Sequence, residues 1–314
     1  MLLYVARRIA WIATTLVVLS LLIFAITQML PGNVAQIIAG QFATPDTVTA
    51  ISAKLGLNDP YYLQYWRWAS AVLHGDFGRS LIMERPIAPV LWEALANSAI
   101  LASVAFIVVA VVGIGLGVLA AIRAGGAIDY GVSLFTFLGI SIPEFFWGIV
   151  LILVFSRSLG WLPSGGLADP ESGFATHAAH VVLPAATLAF ALIAHVSRMT
   201  RSSMLGVLRS QYVRNARAKG LPERVVILRH ALRNALLPTI TILAMDVGWL
   251  IGGVVVAETV FAYPGIGRAL IFSIERHDLP MIQASILVIA AIYCSANLVA
   301  DLLYAYFNPR IRYG

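Results

Sequence analysis

Charge is scarce in this sequence: Asp, Glu, Lys and Arg make up 11% of its 314 residues, against about 25% in soluble domains. With 60% hydrophobic residues, the chain has too little polar surface for a soluble globular protein and falls in the membrane class. Cysteine is scarcer still. The single Cys294 lies inside an apolar run, which excludes an intrachain disulfide and a Cys-x-x-Cys site. Lysine occurs only at Lys54 and Lys219, each after an alanine. A Walker A loop needs Gly-Lys-Ser/Thr to cradle phosphate, so the chain cannot bind ATP in that way. Acids number 15 against 21 Lys and Arg, and the pI is near 9.7. Spread over a soluble face, that balance would point to nucleic acid. Here most basic residues border apolar stretches, where cytoplasmic enrichment of Lys and Arg explains them and nucleic acid is not implied as a partner.

What is present in quantity is apolar length. A helix needs about 20 apolar residues to cross the hydrocarbon core, and six stretches read as spans: residues 9–30, 97–122, 130–155, 181–196, 237–261 and 281–307. The expected class is an all-α membrane protein with six transmembrane helices. The first apolar run exceeds a signal-peptide core and lacks a small-x-small cleavage site, so it reads as a retained span. Gly113, Gly115 and Gly117 in the second span would let a neighbouring helix approach closely. Pro143-Glu144 interrupts the third, and Pro184 lies in the fourth. The domain expectation is an N-terminal transmembrane helix at 1–30, an extracytoplasmic subdomain at 31–96, and a core of five spans at 97–314. Arg7, Arg8, Arg123, nine basic residues of the stretch 198–238, Arg310 and Arg312 fall on one side, 14 of the 21 in the chain. That side should be the cytoplasm, with both termini inside and 31–96 outside.

The stretch 198–238 holds most of the local charge. Arg198, Arg201, Arg209, Arg214, Arg217, Lys219, Arg224, Arg229 and Arg233 stand against one acid, Glu223. Gly220 suits a helix C-terminus and Pro222 the start of the next helix. Val225, Leu228, Leu232 and Ala235 repeat at helical spacing on one face of that second helix. The expectation is a pair of short basic helices along the inner membrane surface, with Pro238 opening the fifth span. Charge alone leaves two readings: a polybasic loop that fixes topology or touches anionic lipid, and a docking surface for a cytoplasmic protein.

The residues themselves resemble a family. YVRNARAKGLPE and RHALRNALLP look like the EAA loop of permease subunits of ATP-binding-cassette importers, in the dipeptide, oligopeptide and nickel branch. LPGN after the first span, LGLNDPYYLQYW and GDFGRS in the outer region, GISIPEFFWGI, HVVLPAATLA, IGGVVVAETVFAYPGIGR and NLVADLLYAYFNPRIR follow in order and cover essentially the whole chain. Aligned on Gly220, the Glu-Ala-Ala positions hold Arg214, Asn215 and Ala216, a departure common in the peptide-type branch. The resemblance implies a type I importer permease fold. It makes Ser210–Gly220 a coupling helix that seats in an ATPase subunit, with Tyr212, Arg214, Ala216, Arg217, Ala218, Lys219, Gly220 and Pro222 as the docking residues and His230, Asn234 and Pro238 in the stretch that follows. It further implies a homologous second permease, two ATP-binding subunits and an extracytoplasmic solute-binding protein in a prokaryotic cell membrane. No cofactor is implied, since the partners bind the ATP, and no catalytic residue. The solute class implied is di- or oligopeptides, with glutathione, nickel chelates and opines also served in the branch.

Glu144, Asp246, Glu258 and Asp301 fall inside spans, where acids are costly and usually face a cavity or a partner. All four are candidates for the translocation path. Glu258 and Asp301 sit in family motifs and also suit structural pairing. Asp246 stands where the branch often has an uncharged polar residue, and it would favour a cationic or amine-bearing solute. His177 and His180 are too few to make a metal site. Tyr61, Tyr62, Tyr65, Trp66 and Trp68 suit an interfacial belt or a subdomain core. Two other classes remain at this stage: an ion-coupled secondary transporter relaying protons through Asp246, Glu258 and Asp301, and a membrane scaffold that transports nothing.

Overall fold

The computed structural model describes residues 2–29, 44–54 and 58–307. The expected helix stop at Pro31-Gly32-Asn33 and the basic tail with Arg310 and Arg312 lie outside the described residues. The chain forms two compact units, Met1–Ala96 with Ile266–Cys294, and Asn97–Gly265 with Ser295–Gly314.

In the first unit, α1 (Leu2–Met29) is apolar on nearly every side, as a helix facing lipid must be. Short helices α2 (Pro45–Lys54) and α3 (Tyr61–Leu73) follow. Phe24 of α1 meets the ring of Tyr65 edge-on at 5.5 Å and that of Trp68 at 6.0 Å, and the Ser20 and Tyr65 hydroxyls lie 2.8 Å apart. The aromatic run thus divides by helical phase. Tyr65 and Trp68 pack on α1, while Tyr61, Tyr62 and Trp66 stay exposed. A turn at Ser80–Arg85 leads into α4 (Ile87–Ile122). The buried Asp278, just before α11 (Leu279–Phe307), accepts from the Ser80 hydroxyl and from the amides of Leu81 at 3.2 Å and Ile82 at 3.4 Å. One carboxylate thereby satisfies donors of a turn that is 196 or more residues away. Ile87, Leu91 and Ala94 of α4 bury with Ile266 of α10 (Ile266–Glu275) and with Met281 and Ala284 of α11.

The second unit is built around α7 (Phe174–Leu208), the longest uninterrupted α-helix of the described residues and the most buried of the candidate spans. Against it pack the later part of α4, α5 (Ala127–Ser141), α6 (Glu144–Ser158) and α9 (Glu223–Val260). Leu101, Ala105 and Val109 of α4, Leu188, Leu192 and Val196 of α7, and Leu243, Leu250 and Val254 of α9 form its main apolar core. A Cβ on Gly117 would stand 2.5 Å from Thr200 Cβ, and one on Gly113 2.9 Å from Val196 Cγ1. These two glycines, four apart, let the α4 and α7 backbones meet. Gly115 points to open space and has no part in the approach.

Among the described residues, five helices are long and apolar enough to cross a membrane, and six if α5 and α6 count as one broken span. That broken span is the third expected one, and it bends by 109°. Proline disfavours helical backbone at the residue before it, and Ile142 (ψ 130) and Pro143 (ψ 145) are extended. Two expected boundaries are corrected. The fourth span is a helix of 35 residues, not the 16 of residues 181–196, because α7 continues through His177, Arg198 and Arg201. The basic stretch is not a pair of surface helices. Its first part ends α7, its middle is α8 (Gln211–Ala218), and its last part is the start of α9, which runs through Pro238 without stopping. Proline is tolerated inside an apolar helix when neighbouring groups and local widening absorb the lost bond. A separate π-turn lies earlier in the same helix, at Val226–Ala231.

Candidate functional site: a docking helix and a charged cavity

Helix α8 is amphipathic over only two turns. Val213 and Ala216, three apart, are buried against Ala121, Met204, Val226, Ala231 and Ala235. The remaining positions, Gln211, Tyr212, Arg214, Asn215, Arg217 and Ala218, are exposed, as is Lys219 just after the helix. Gly220 ends the helix at φ +74, a left-handed conformation that costs any residue with a Cβ. Its amide donates to the Arg217 carbonyl at 2.9 Å. Pro222 directly precedes α9, and the Val225 amide donates to the Pro222 carbonyl at 2.8 Å. Two side-chain contacts brace the turn. The Arg217 guanidinium grips Glu223 with bonds of 2.6 and 3.1 Å, and Asn234 donates to the Tyr212 hydroxyl at 2.8 Å. The Glu223 carboxylate also raises the Arg217 pKa above its ordinary value. Farther back, Arg201 of α7 donates to both Asp129 oxygens, at 2.6 and 2.7 Å, which ties α7 to the start of α5.

Of the expected docking residues, Ala216 is therefore part of the apolar floor. Tyr212, Arg214, Arg217, Ala218, Lys219, Gly220 and Pro222 lie on the outer side or the turn. His230 is half-buried, and Asn234 and Pro238 are exposed on α9.

The second feature is a cavity of about 780 Å³ among α5, α6, α7 and α9. Its lining is chiefly apolar, with Ile142, Phe145, Leu192, Met245 and Trp249 among it, and carries four polar groups: Glu144, His195, Arg198 and Asp246. Asp246 is 4% exposed. His195 donates from Nδ1 to its Oδ1 at 3.1 Å. Glu144 opens α6 directly after the break.

The four intramembrane acids thus separate. Glu144 and Asp246 share the cavity. Glu258 is fully buried elsewhere and takes the Ser98 hydroxyl of α4, while the Asn97 amide donates to the Pro264 carbonyl at 2.9 Å. Together those contacts hold the loop after α9 against α4. Asp301 is half-buried on α11, outside the cavity lining. His177 and His180 turn their Nδ1 atoms to the carbonyls of Gly173, just before α7, and Thr176, within it. The residue that sequence reasoning missed is His195. Its only signal was a basic side chain three residues before Arg198, on an otherwise apolar run.

A polytopic helical membrane protein with a broken span, a charged cavity and a short braced helix at one end of its longest span is the class these features define. Residues 113–313 match the family described as "Binding-protein-dependent transport system inner membrane component", and residues 1–108 match that system's N-terminal membrane-component domain. The chain belongs to this family. It is 40% identical to the glutathione transport system permease protein GsiC of Escherichia coli, over the full length of both. With the dipeptide transport system permease protein DppB of Alkalihalophilus pseudofirmus it shares 36% identity, again over the whole of both chains. A probable peptide ABC transporter permease of Sinorhizobium fredii is 39% identical over 99% of each. In fold it is similar to a solved structure of the MetNI methionine ABC transporter, with TM-score 0.53 at 17% identity over 70% of this chain and 95% of that one. The chain is a permease subunit of an ATP-driven importer and a non-catalytic component of it. Such a system includes an ATPase and a solute-binding protein, and this subunit is an inner-membrane protein. The ion-coupled and scaffold readings give way to that membership.

Proposed function

We propose that this permease imports di- or oligopeptides or closely related small solutes, paired with a homologous second permease, driven by two ATPase subunits and supplied by an extracytoplasmic binding protein. The observation that carries the reading is α8: a two-turn helix with a buried apolar floor, an exposed basic roof and a braced turn. A rigid helix seated in an ATPase cleft can pass closure of the ATPases to the long helices on either side of it, α7 and α9. Its exposed roof would contact the partner, and its floor would transmit the push. The relatives named for dipeptide, peptide and glutathione transport support the solute class. The excess of Lys and Arg on α8 and its flanks supports a cytoplasmic position for that end, with both termini on the same side and residues 31–96 as the extracytoplasmic subdomain.

The test is to replace Ala218, on the exposed roof, by Trp. A bulky side chain there should abolish co-purification of the ATPases, or uncouple ATP hydrolysis from uptake, while the permease still inserts and melts normally. Unchanged uptake with a normal complement of ATPase would sink the docking assignment. Ala216→Trp is the poorer probe, since that side chain is buried and its loss would report packing.

A further inference from the structure

Asp246 presents an unfinished interaction. Its Oδ1 is engaged by His195, but the buried Oδ2 has no hydrogen-bond partner among the described residues. A buried carboxyl oxygen left unpaired is costly, and more so within a membrane span. The atom is enclosed, but its side chain lines the cavity, so a turn of the carboxylate offers it to a ligand there.

A second carboxylate lies on the same wall. A Cβ on Gly253 would stand 3.0 Å from Glu144 Oε2, so Glu144 rests directly on the α9 backbone. Gly253 and Asp246 are seven residues apart, about two turns or roughly 10 Å along one face of the helix. The two acids therefore line one face of α9. Arg198 lines the cavity as well but forms no ion pair among the described residues, so neither acid is neutralised by it. The cavity falls in the size range of small organic ligands, about 300–1,000 Å³, and is too roomy for a bare inorganic ion. Trp249 and Phe145 add aromatic faces, which attract organic cations.

We propose that Asp246 and Glu144 form a recognition site, within the permease itself, for the ammonium group of the solute in transit. The inference rests on the import reading above and adds a chemical selection made after the binding protein has released its cargo. Asp246 Oδ2 accepts from the ammonium, His195 holds the carboxylate in place as a positioning residue, and Glu144, about two turns along the same wall, adds negative potential that draws the ammonium in. Arg198 gives the lining its opposite sign, which suits a zwitterionic peptide.

The experiment uses the complete transporter in proteoliposomes with its binding protein, and follows uptake of dialanine and of N-acetyl-dialanine. The binding protein is the same throughout, so any change on mutation belongs to the permease. Asp246→Asn should lower dialanine uptake about tenfold, the effect expected for one charge-assisted hydrogen bond, and leave N-acetyl-dialanine uptake unaltered. Equal loss of both, or loss of neither, overturns the proposal. Failure of the wild-type transporter to import either peptide would count against the solute class instead. In that case the melting temperature of the purified complex, without binding protein, is followed against dialanine amide and against propionamide. A saturable rise with the amine alone, absent in Asp246→Asn and reduced in Glu144→Gln, supports the site. The same response in wild type and Asp246→Asn, or none in either, refutes it.

Discussion

Two glycines two residues apart behave differently in this membrane protein. A side chain on Gly117 would run into Thr200 Cβ at 2.5 Å and the Ser197 carbonyl at 2.6 Å, both part of a buried helix contact. Neither obstacle is the tip of a flexible chain. Gly117→Val should therefore destabilise the purified permease by about 1–3 kcal/mol or more, the usual cost of overpacking. Gly115→Val, facing open space, should stay within about 0.5 kcal/mol of wild type. Thermal melting in detergent would check both. Similar melting of the two variants would mean that α4 does not meet α7 on this face. A Gly-x-Gly-x-Gly run shows in the sequence that some close approach is available. Which pair makes it depends on helical phase relative to a helix about 80 residues away, and no local pattern carries that.

Among elements, the turn between α8 and α9 combines effects of different size. Gly220 sits at φ +74. Forcing a β-branched residue into that region costs about 1–2 kcal/mol and would tilt α8 off its floor. The Arg217–Glu223 pair is partly exposed on both sides, and such pairs contribute about 0–1 kcal/mol. The backbone requirement should therefore win. Gly220→Val is expected to cut solute-stimulated ATP hydrolysis severely, and Glu223→Gln to leave it near wild type, as measured on the reconstituted transporter. The reverse order would show that the ion pair, not the turn, positions α8. Gly220 and Pro222 made this turn legible in the sequence, and the apolar runs made the spans so. The lengths of α7 and α9 were not legible. His177, Arg198, Arg201 and Arg233 lower local hydropathy, yet the helices continue, since polar groups near the ends of a span reach water or partners. The Asp129–Arg201 and Asp246–His195 pairs join residues 72 and 51 apart, and only the packing of helices brings them together.

At the scale of the whole molecule, the transport reading requires α8 and the stretch around α3, which has no excess of Lys and Arg, to face opposite sides of the membrane. ATP and the ATPases are cytoplasmic, and solute arrives on a binding protein from outside. The distribution of Lys and Arg supports that arrangement, because moving such residues across a membrane is opposed while acids contribute little. It can be checked with one reagent. In a Cys294→Ser background, which removes the chain's only thiol, single cysteines are placed at Leu73 and at Asn215, both exposed. A membrane-impermeant maleimide applied to intact spheroplasts should label the first within minutes and leave the second untouched until the membrane is opened. Labelling of Asn215→Cys in sealed cells would put α8 outside, where no ATPase could reach it. Labelling of neither in sealed cells would place residue 73 inside or within the bilayer, and residues 31–96 would then no longer stand as an external subdomain. With the expected pattern, the exposed basic roof of α8 lies on the only side of the membrane from which ATP-driven motion can enter the chain.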